Sequence, residues 1–385
     1  MAGGRTLKIV LDLQACQGES HDRGIGRYSW ALAQAMLRCG RDRHEFWVAL
    51  NGAFPKSVES IRRELGVLLP PERIVAWKAE GPMEARVVEN ERRLEHGLAV
   101  REAFLDALRP DFVHIASLFE GMSDDSLQSV PAALDAAPVA VTLYDLIPLL
   151  NRAHYLPNPV ARDWYYRQLD SLRRARLLLA ISESSRGEAL TCLNWPEERV
   201  VNISSAVDTK FRHVDLAAGA VSRLKRKFGL RLPYVMCAGV VEVRKNVDAL
   251  IRAFAALPRD LRDAHQLVLV GKVGAHDHAR FVELIRERGL ASDAVVMPGF
   301  VEDDDLIGLY NLCKLFVFPS WHEGFGLPAL EAMACGAPVI AAGTSSLPEV
   351  VGRADALFNP HDDASIASLV ERVLRDDGLR ESLAA

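Results

Sequence analysis

The sequence lacks any hydrophobic run approaching the roughly eighteen residues that a membrane-spanning helix needs. Met1 to Arg5 place no apolar stretch ahead of the strand-like Leu7–Leu13. A cytoplasmic chain is expected, with room for peripheral contact at the cytoplasmic face of the inner membrane. Paired cysteines are also missing: Cys16, Cys39, Cys192, Cys237, Cys313 and Cys335 are scattered, with no CxxC and no Cys/His group at zinc spacing. That usage suits a reducing compartment better than secretion. Nor is there a strong charge of one sign, since 46 Lys and Arg against 51 Asp and Glu leave a formal net charge of −5. Such a balance supplies no global field to draw the chain onto nucleic acid or anionic lipid. Low-complexity tracts and short repeats are absent as well.

A chain of 385 residues, 49% hydrophobic and 25% charged, suits two globular domains. Leu7–Leu13 reads as a strand. A polar loop with Gly18, Gly24 and Gly26 follows, then a helical pattern with Ile25, Tyr28, Leu32 and Met36 at helical spacing. Strand, glycine loop and helix is how an α/β nucleotide-binding domain begins. Short apolar runs recur at Glu45–Leu50, Phe112–Ile115, Val139–Leu143 and Leu177–Ile181, with helix-like stretches such as Glu84–Leu108 between them. The pattern restarts with Tyr234–Gly239, a helix from Val247, and strands at Leu267–Val270, Val295–Met297 and Leu315–Phe318. The expectation is an α/β protein of two Rossmann-like domains with mostly parallel sheets, 1–205 and 206–385, facing one another across a cleft at the strands' carboxyl ends. Ala364–Leu383 is amphipathic and runs to Ala384-Ala385 without a helix stop signal, so the second domain is expected to be cut short.

Phe316–Glu331 is the most informative segment. It reads as a buried strand ended by Pro319, a loop with Gly324 and Gly326, and a helix with Pro328 at its first position. Glycine lets the backbone come close to a ligand, and the N–H groups and dipole at a helix start favour an anion, so a phosphate belongs in that loop. Glu323 before the helix and Glu331 about one turn into it border the same place, and carboxylates suit a hydroxyl-rich ligand. Arg244 and Lys245 follow the strand ending at Gly239 and precede a helix with the apolar stripe Val247, Leu250, Ile251 and Phe254. Two adjacent cations there are costly without an anion and look like a diphosphate clamp, with Asn246 as the helix N-cap.

Other features are weaker. Gly24-Ile-Gly26-Arg-Tyr-Ser29 is an incomplete GxGxxG, which disfavours a dinucleotide dehydrogenase. Asp303-Asp304-Asp305 has the oxygen-rich character of a magnesium site, but it precedes the helical run Leu306, Leu309, Tyr310 and Cys313, so capping is preferred and no metal is expected. His114 reads as a core histidine ahead of a cleft residue, and arginines at 162, 167, 173, 174 and 176 as a solvated helix face.

Glu323-Gly-Phe-Gly-Leu-Pro-Ala-Leu-Glu331 resembles the Glu-x7-Glu motif of family-4 retaining glycosyltransferases, and Gly239 to Asn246 resembles their Gly-x4-Arg-Lys-Asn pattern. The resemblance implies the GT-B fold and a nucleotide-sugar donor without a metal or other cofactor. It assigns Glu323 to the donor sugar's hydroxyls and to catalytic support, Arg244 and Lys245 to the leaving diphosphate, and Glu331 to the ribose. By the same resemblance the backbone of Gly324, Phe325, Gly326 and Leu327 lies against sugar and phosphate, Phe300 and Val301 follow Gly299 in the base-reading loop, and Gly24 and Gly26 face the donor phosphates or the acceptor. Tyr144 stands where many relatives have a donor-contacting His; it can donate a hydrogen bond but titrates near 10. Leu11–Gln14 and Arg23–Tyr28 resemble bacterial mannosyltransferases of surface-polysaccharide synthesis. That likeness favours GDP-mannose as donor, a glycan or lipid-linked saccharide as acceptor, and contact with the inner membrane or a polysaccharide assembly complex. A sugar-nucleotide epimerase or hydrolase of the same fold, and a non-catalytic sugar-nucleotide-binding module, remain the alternatives.

Overall fold

Largely apolar runs of two to seven residues, most of them spaced by helices, build two parallel sheets in the computed structural model, which describes residues 5–132, 137–239 and 242–385. The chain divides into two units, Met1–Ser204 and Ser205–Ala385. The first unit holds β1 (Lys8–Asp12), β2 (Glu45–Asn51), β3 (Ile74–Trp77), β4 (Phe112–Ile115), β5 (Val139–Leu143), β6 (Leu177–Ala180) and β7 (Val200–Asn202) in the spatial order β3-β2-β1-β4-β5-β6-β7. The second holds β8 (Tyr234–Ala238), β9 (Gln266–Val270), β10 (Val295–Gly299), β11 (Leu315–Phe318), β12 (Val339–Ala342) and β13 (Leu357–Phe358) in the order β10-β9-β8-β11-β12-β13.

Helices cover both faces of each sheet, as a parallel sheet requires. In β1 and β2 the two-residue side-chain period splits the core between the faces. Val10 and Ala49 pack with Val113, Val139 and Leu178, while Leu11, Val48 and Leu50 pack with Ala33, Leu37 and Ile61. The Gly24–Gly40 helix buries Gly26, Ser29, Ala33, Leu37 and Gly40, one residue round from the expected stripe of Ile25, Tyr28, Leu32 and Met36. Small residues form the contact face because the helix lies close to the sheet, and the larger side chains flank it.

Two stretches differ from the sequence-based expectation. The helix expected from Glu84 begins at Glu91. The residues around its expected start instead spend their backbone donors on the loop after β4: Met83 N on Asp125, Ala85 N on Gly121 O and Arg86 N on Met122 O. The C-terminal amphipathic stretch is two helices, Asp363–Arg375 and Asp377–Ala384, divided where Asp376 accepts a hydrogen bond from Leu379 N and caps the second.

Every parallel strand points its carboxyl end the same way, so the loops that leave those ends gather along one edge of each sheet. In the second unit this edge carries Gly239 and 242–246 after β8, Gly271 after β9, Phe300 after β10, 319–326 after β11 and 343–346 after β12. Backbone crowding here demands glycine at Gly239 (φ +136°) and Gly271 (φ +147°), because a Cβ on Gly271 would lie 2.1 Å from Gly239 O.

Candidate functional site

Glu323 leaves the end of β11 on the buried loop before the Leu327–Ala334 helix. Three hydroxyl residues after β12 hold that loop. Ser345 Oγ accepts from Glu323 N at 3.0 Å, Ser346 Oγ donates to Glu323 O at 2.9 Å and to Phe325 O at 2.6 Å, and Thr344 Oγ1 donates to Trp321 O at 3.0 Å. The loop after β8 is laced to the same segment: Trp321 N and Ser320 Oγ both donate to Arg244 O at 3.0 Å, and Arg244 NH1 donates to His322 O at 2.9 Å.

This lacing brings three of the expected residues into direct contact. Lys245 Nζ lies 2.6 Å from Glu323 Oε1 and Arg244 NH1 lies 2.7 Å from Glu323 Oε2, so one carboxylate bridges both cations. Arg244 Nε also reaches Glu242 Oε2 at 2.9 Å, and Lys245 Nζ sits 5.1 Å from the centre of the Phe318 ring. Burial alone would raise the pKa of Glu323, but Lys245 and then Arg244 outweigh it and hold the carboxyl at about 2. The two cations expected to await a ligand anion are therefore already matched by an anion of the chain. The sequence could not reveal this, because Lys245 and Glu323 are 78 positions apart.

Gly326 takes φ +111° immediately before the helix, where a Cβ would meet Leu347 Cδ2 at 2.6 Å. Gly324, Phe325 and Gly326 are buried beneath the helix start. Pro328 occupies the second helical position rather than the first, Leu327 being the first, and at either position a missing N–H costs no intrahelical bond. Glu331, in the helix's second turn, accepts a hydrogen bond from Tyr310 OH at 3.1 Å. Burial, then the neighbouring Glu331, raises the pKa of that tyrosine well above its ordinary value. After β10, Phe300 is 67% exposed while Val301 is buried, so the pair presents an open aromatic ring anchored by a core residue.

Two capping expectations are corrected. Asn246 stands at the N-cap of the Val247–Ala255 helix but in left-handed conformation, φ +57°, without a capping bond; its amide donates to Pro319 O at 3.3 Å and Pro360 O at 2.7 Å and so ties loops together. Asp303, Asp304 and Asp305 form the first turn of the Asp303–Leu312 helix behind Glu302, with no side-chain cap. Asp303 pairs with Lys210 at 2.7 Å and Asp305 with Lys227, while their position suits the helix dipole. Among the described residues no group of three or more His, Cys, Asp and Glu is arranged to hold a metal ion.

Gly24, Gly26 and Tyr144 belong to the first unit. Gly26 N donates to Ser20 O at 3.1 Å, and a Cβ there would fall 2.2 Å from the same oxygen, so this glycine lets the loop pack on its own helix. Gly24, at the helix start, is exposed. The Tyr144 hydroxyl lies 2.7 Å from Ser29 Oγ, 3.2 Å from Ala116 O and 3.3 Å from Ile25 O, an inward network that absorbs its one proton. Burial, ahead of its neighbours, puts its pKa well above the ordinary value. His114 is a core histidine as expected, with Nε2 2.8 Å from Thr142 Oγ1 and burial lowering its pKa to about 4.

Residues that the sequence did not single out complete the architecture. Thr344, Ser345 and Ser346 were legible only as small hydroxyl residues between β12 and a following helix. In the first unit, Asp12 at the end of β1 is paired at 2.7 Å with Arg101, both fully buried, and Gln128 donates to Asp12 at 3.2 Å.

Residues 222–385 match the family model described as glycosyl transferases group 1. With its two parallel sheets the chain has the GT-B fold, and the stretch that matches the group 1 model lies in its second unit. Its relatives narrow the comparison. It is 38% identical over 380 residues to a serotype-specific mannosyltransferase WbdA of Escherichia coli, covering 98% of this chain and 45% of that protein. It is 35% identical over 243 residues to the O-antigen chain mannosyltransferase B of Escherichia coli, covering 63% of each. The chain thus spans less than half the length of the WbdA relative. Among solved structures, Anabaena Alr3699/HepE in complex with UDP and glucose matches with TM-score 0.67 at 19% identity over 98% of this chain and 92% of that one. WaaG, a glycosyltransferase involved in lipopolysaccharide biosynthesis, matches with TM-score 0.65 at 16% identity, over 98% and 93%. Among the described residues, no helix is long and apolar enough to cross a membrane.

Proposed function

We propose that the chain is a retaining glycosyltransferase that moves mannose from GDP-mannose onto a hydroxyl of a glycan or lipid-linked saccharide. The observation that carries the reading is the buried carboxylate of Glu323 bridged by Lys245 at 2.6 Å and Arg244 at 2.7 Å beside a glycine-bearing helix start. The preference for mannose is supported by the likeness to WbdA. In this reading the donor's diphosphate takes the two cations, which stabilise the negative charge that grows as the sugar–phosphate bond breaks. Glu323, released from them, accepts hydrogen bonds from the sugar hydroxyls. Glu331 binds the ribose, the exposed Phe300 ring and Val301 flank the base, and the backbone from Gly324 to Leu327 lies along sugar and phosphate. The acceptor hydroxyl attacks from the side the leaving group vacates and gives its proton to the departing phosphate oxygen, so the anomeric configuration is kept. Gly24 and Gly26 position the loop of the first unit, while Tyr144 acts by holding that loop through Ser29 and Ile25 rather than by touching the sugar. Contact with the inner membrane or a polysaccharide assembly complex would accompany a lipid-linked acceptor.

The test is a transfer assay over GDP-, UDP- and ADP-sugars with Lys245→Ala alongside. Transfer from GDP-mannose is expected to exceed the others and to be lost in the variant. Equal transfer with and without Lys245 would overturn the site, and free sugar or an altered nucleotide sugar formed without acceptor would favour a hydrolase or epimerase.

A further inference from the structure

Tyr310 on the Asp303–Leu312 helix and Glu331 on the Leu327–Ala334 helix meet inside the second unit. The tyrosine is 1% exposed, while the glutamate is only half-buried. Two aromatic rings fix the phenol ring edge to face, Phe316 at 5.5 Å and Phe211 at 6.2 Å between centres. A ring packed in this way gives its hydroxyl one position, from which it donates to Glu331 Oε2 at 3.1 Å. Burial, then the adjacent carboxylate, raises the phenol's pKa well above the ordinary value, so it remains a donor throughout the neutral range. A buried tyrosine hydroxyl needs an acceptor, but a backbone carbonyl is enough. Tyr234, 2% exposed in the same core, donates to Leu309 O at 2.7 Å. Tyr310 instead spends its hydroxyl on a charged side chain of the neighbouring helix, and so restrains a glutamate that has three side-chain torsions to settle.

We infer that Tyr310 is a positioning residue for ribose recognition: its hydroxyl fixes the Glu331 carboxylate in the orientation that accepts from the 2′- and 3′-hydroxyls of the donor nucleotide. The inference rests on the proposed function, which gives the ribose to Glu331. A carboxylate offers about four acceptor positions, so it can take the phenol and a vicinal diol together. Two hydroxyls on one carboxylate require its plane to be set within roughly 10–20°. A fixed donor sets that plane before the ligand arrives, so less freedom is lost on binding. The ribose lies away from the bond that breaks and is held equally before and during the reaction. Loss of the phenol hydroxyl should therefore raise donor KM and leave kcat unchanged.

The experiment compares wild type, Tyr310→Phe, Tyr234→Phe, Glu331→Gln and the Tyr310→Phe/Glu331→Gln double variant as full chains. Calorimetry measures binding of GDP and of 2′,3′-dideoxy-GDP, steady-state transfer from GDP-mannose gives donor KM and kcat, and melting reports stability. Wild type should bind GDP more tightly than the dideoxy nucleotide. Tyr310→Phe should weaken GDP about tenfold, the equivalent of ~1.4 kcal/mol, leave dideoxy-GDP unchanged, and raise donor KM by a similar factor at unchanged kcat. Tyr234→Phe strips a buried hydroxyl from the same core, so it should lower Tm comparably and leave both affinities as they were. Glu331→Gln should lose the preference for GDP, and adding Tyr310→Phe to it should cost no further affinity. A Tyr310→Phe protein that weakens both nucleotides equally, or neither, would overturn the positioning role while the ribose assignment stands. Wild type that binds GDP and dideoxy-GDP alike would overturn the ribose assignment and the inference with it. Wild type that binds neither would overturn the donor reading itself.

Discussion

Glu323→Gln removes the carboxylate that pairs with both Arg244 and Lys245 in the buried cluster, and its cost can be worked from the structure. The carboxyl sits at about 2 in the folded chain against an ordinary 4.5. At about 1.4 kcal/mol per pH unit, that difference makes its ionised form roughly 3 kcal/mol more favourable folded than unfolded. The figure agrees with the ~3–5 kcal/mol typical of breaking a buried ion pair from one side. Because the folded pKa lies below the unfolded one, this stability is complete above pH 4.5 and disappears as the pH falls towards 2. Wild type should therefore exceed the variant fully at pH 7 and progressively less below 4.5. For a unit of this size ~1 kcal/mol moves Tm by about 2–4 °C, so the second unit's transition should fall by roughly 6–12 °C at pH 7. Calorimetry of both proteins from pH 3 to 8, with and without GDP, is the assay. The nucleoside diphosphate should stabilise the variant more than wild type, because Lys245 and Arg244 no longer have the Glu323 carboxylate to surrender. Equal melting of the two proteins at pH 7 would refute the reasoning.

Two further perturbations probe the first unit. Burial, despite hydrogen bonds from Ser117 and Ser20, raises the Glu120 carboxyl from 4.5 to about 7, so the folded chain holds a proton that the unfolded chain releases. Stability should fall as the pH rises from 4.5 to 7, and Glu120→Gln should gain on wild type by roughly 2–3 kcal/mol above pH 7 with no gain at 4.5; a difference independent of pH in urea titrations would contradict this. Gly26→Ala places a Cβ 2.2 Å from Ser20 O and 2.5 Å from His21 O, whereas Gly24→Ala meets nothing within 4 Å. The first should lower the urea midpoint by the equivalent of about 1–3 kcal/mol and the second leave or raise it by up to ~1 kcal/mol; equal midpoints would show that the loop does not pack as described.

All but one of the strands of the sheets' interiors were legible because a parallel strand buried on both faces writes itself as an uninterrupted apolar run. Those missing from the sequence reading, Ile74–Trp77, Val200–Asn202 and Leu357–Phe358, are short edge strands with partly exposed residues, and Val339–Ala342 is a brief alanine-containing run. At the candidate site, residue types and spacing singled out Arg244, Lys245 and Glu323, but not that the Glu323 carboxylate pairs with both of the others. Asn246 misled because a capping residue type is also the type that tolerates the left-handed conformation, and here it uses its amide on Pro319 and Pro360. Tyr144 could be seen as a replaced histidine, but its inward turn towards Ser29 depends on the packing of a helix more than a hundred residues earlier. Thr344, Ser345 and Ser346 carry no motif; their role comes from β12 lying beside β11, which puts three hydroxyls against the Glu323 loop.

The central claim is a retaining mannosyl transfer from GDP-mannose governed by the Arg244–Lys245–Glu323 cluster. Its most direct test is NMR of the product formed from GDP-mannose and a mannose-terminated acceptor by wild type and Lys245→Ala. The account predicts an α-mannoside, the donor's own configuration, from wild type and none from the variant. A β-linked product, or undiminished α-product from Lys245→Ala, would contradict it.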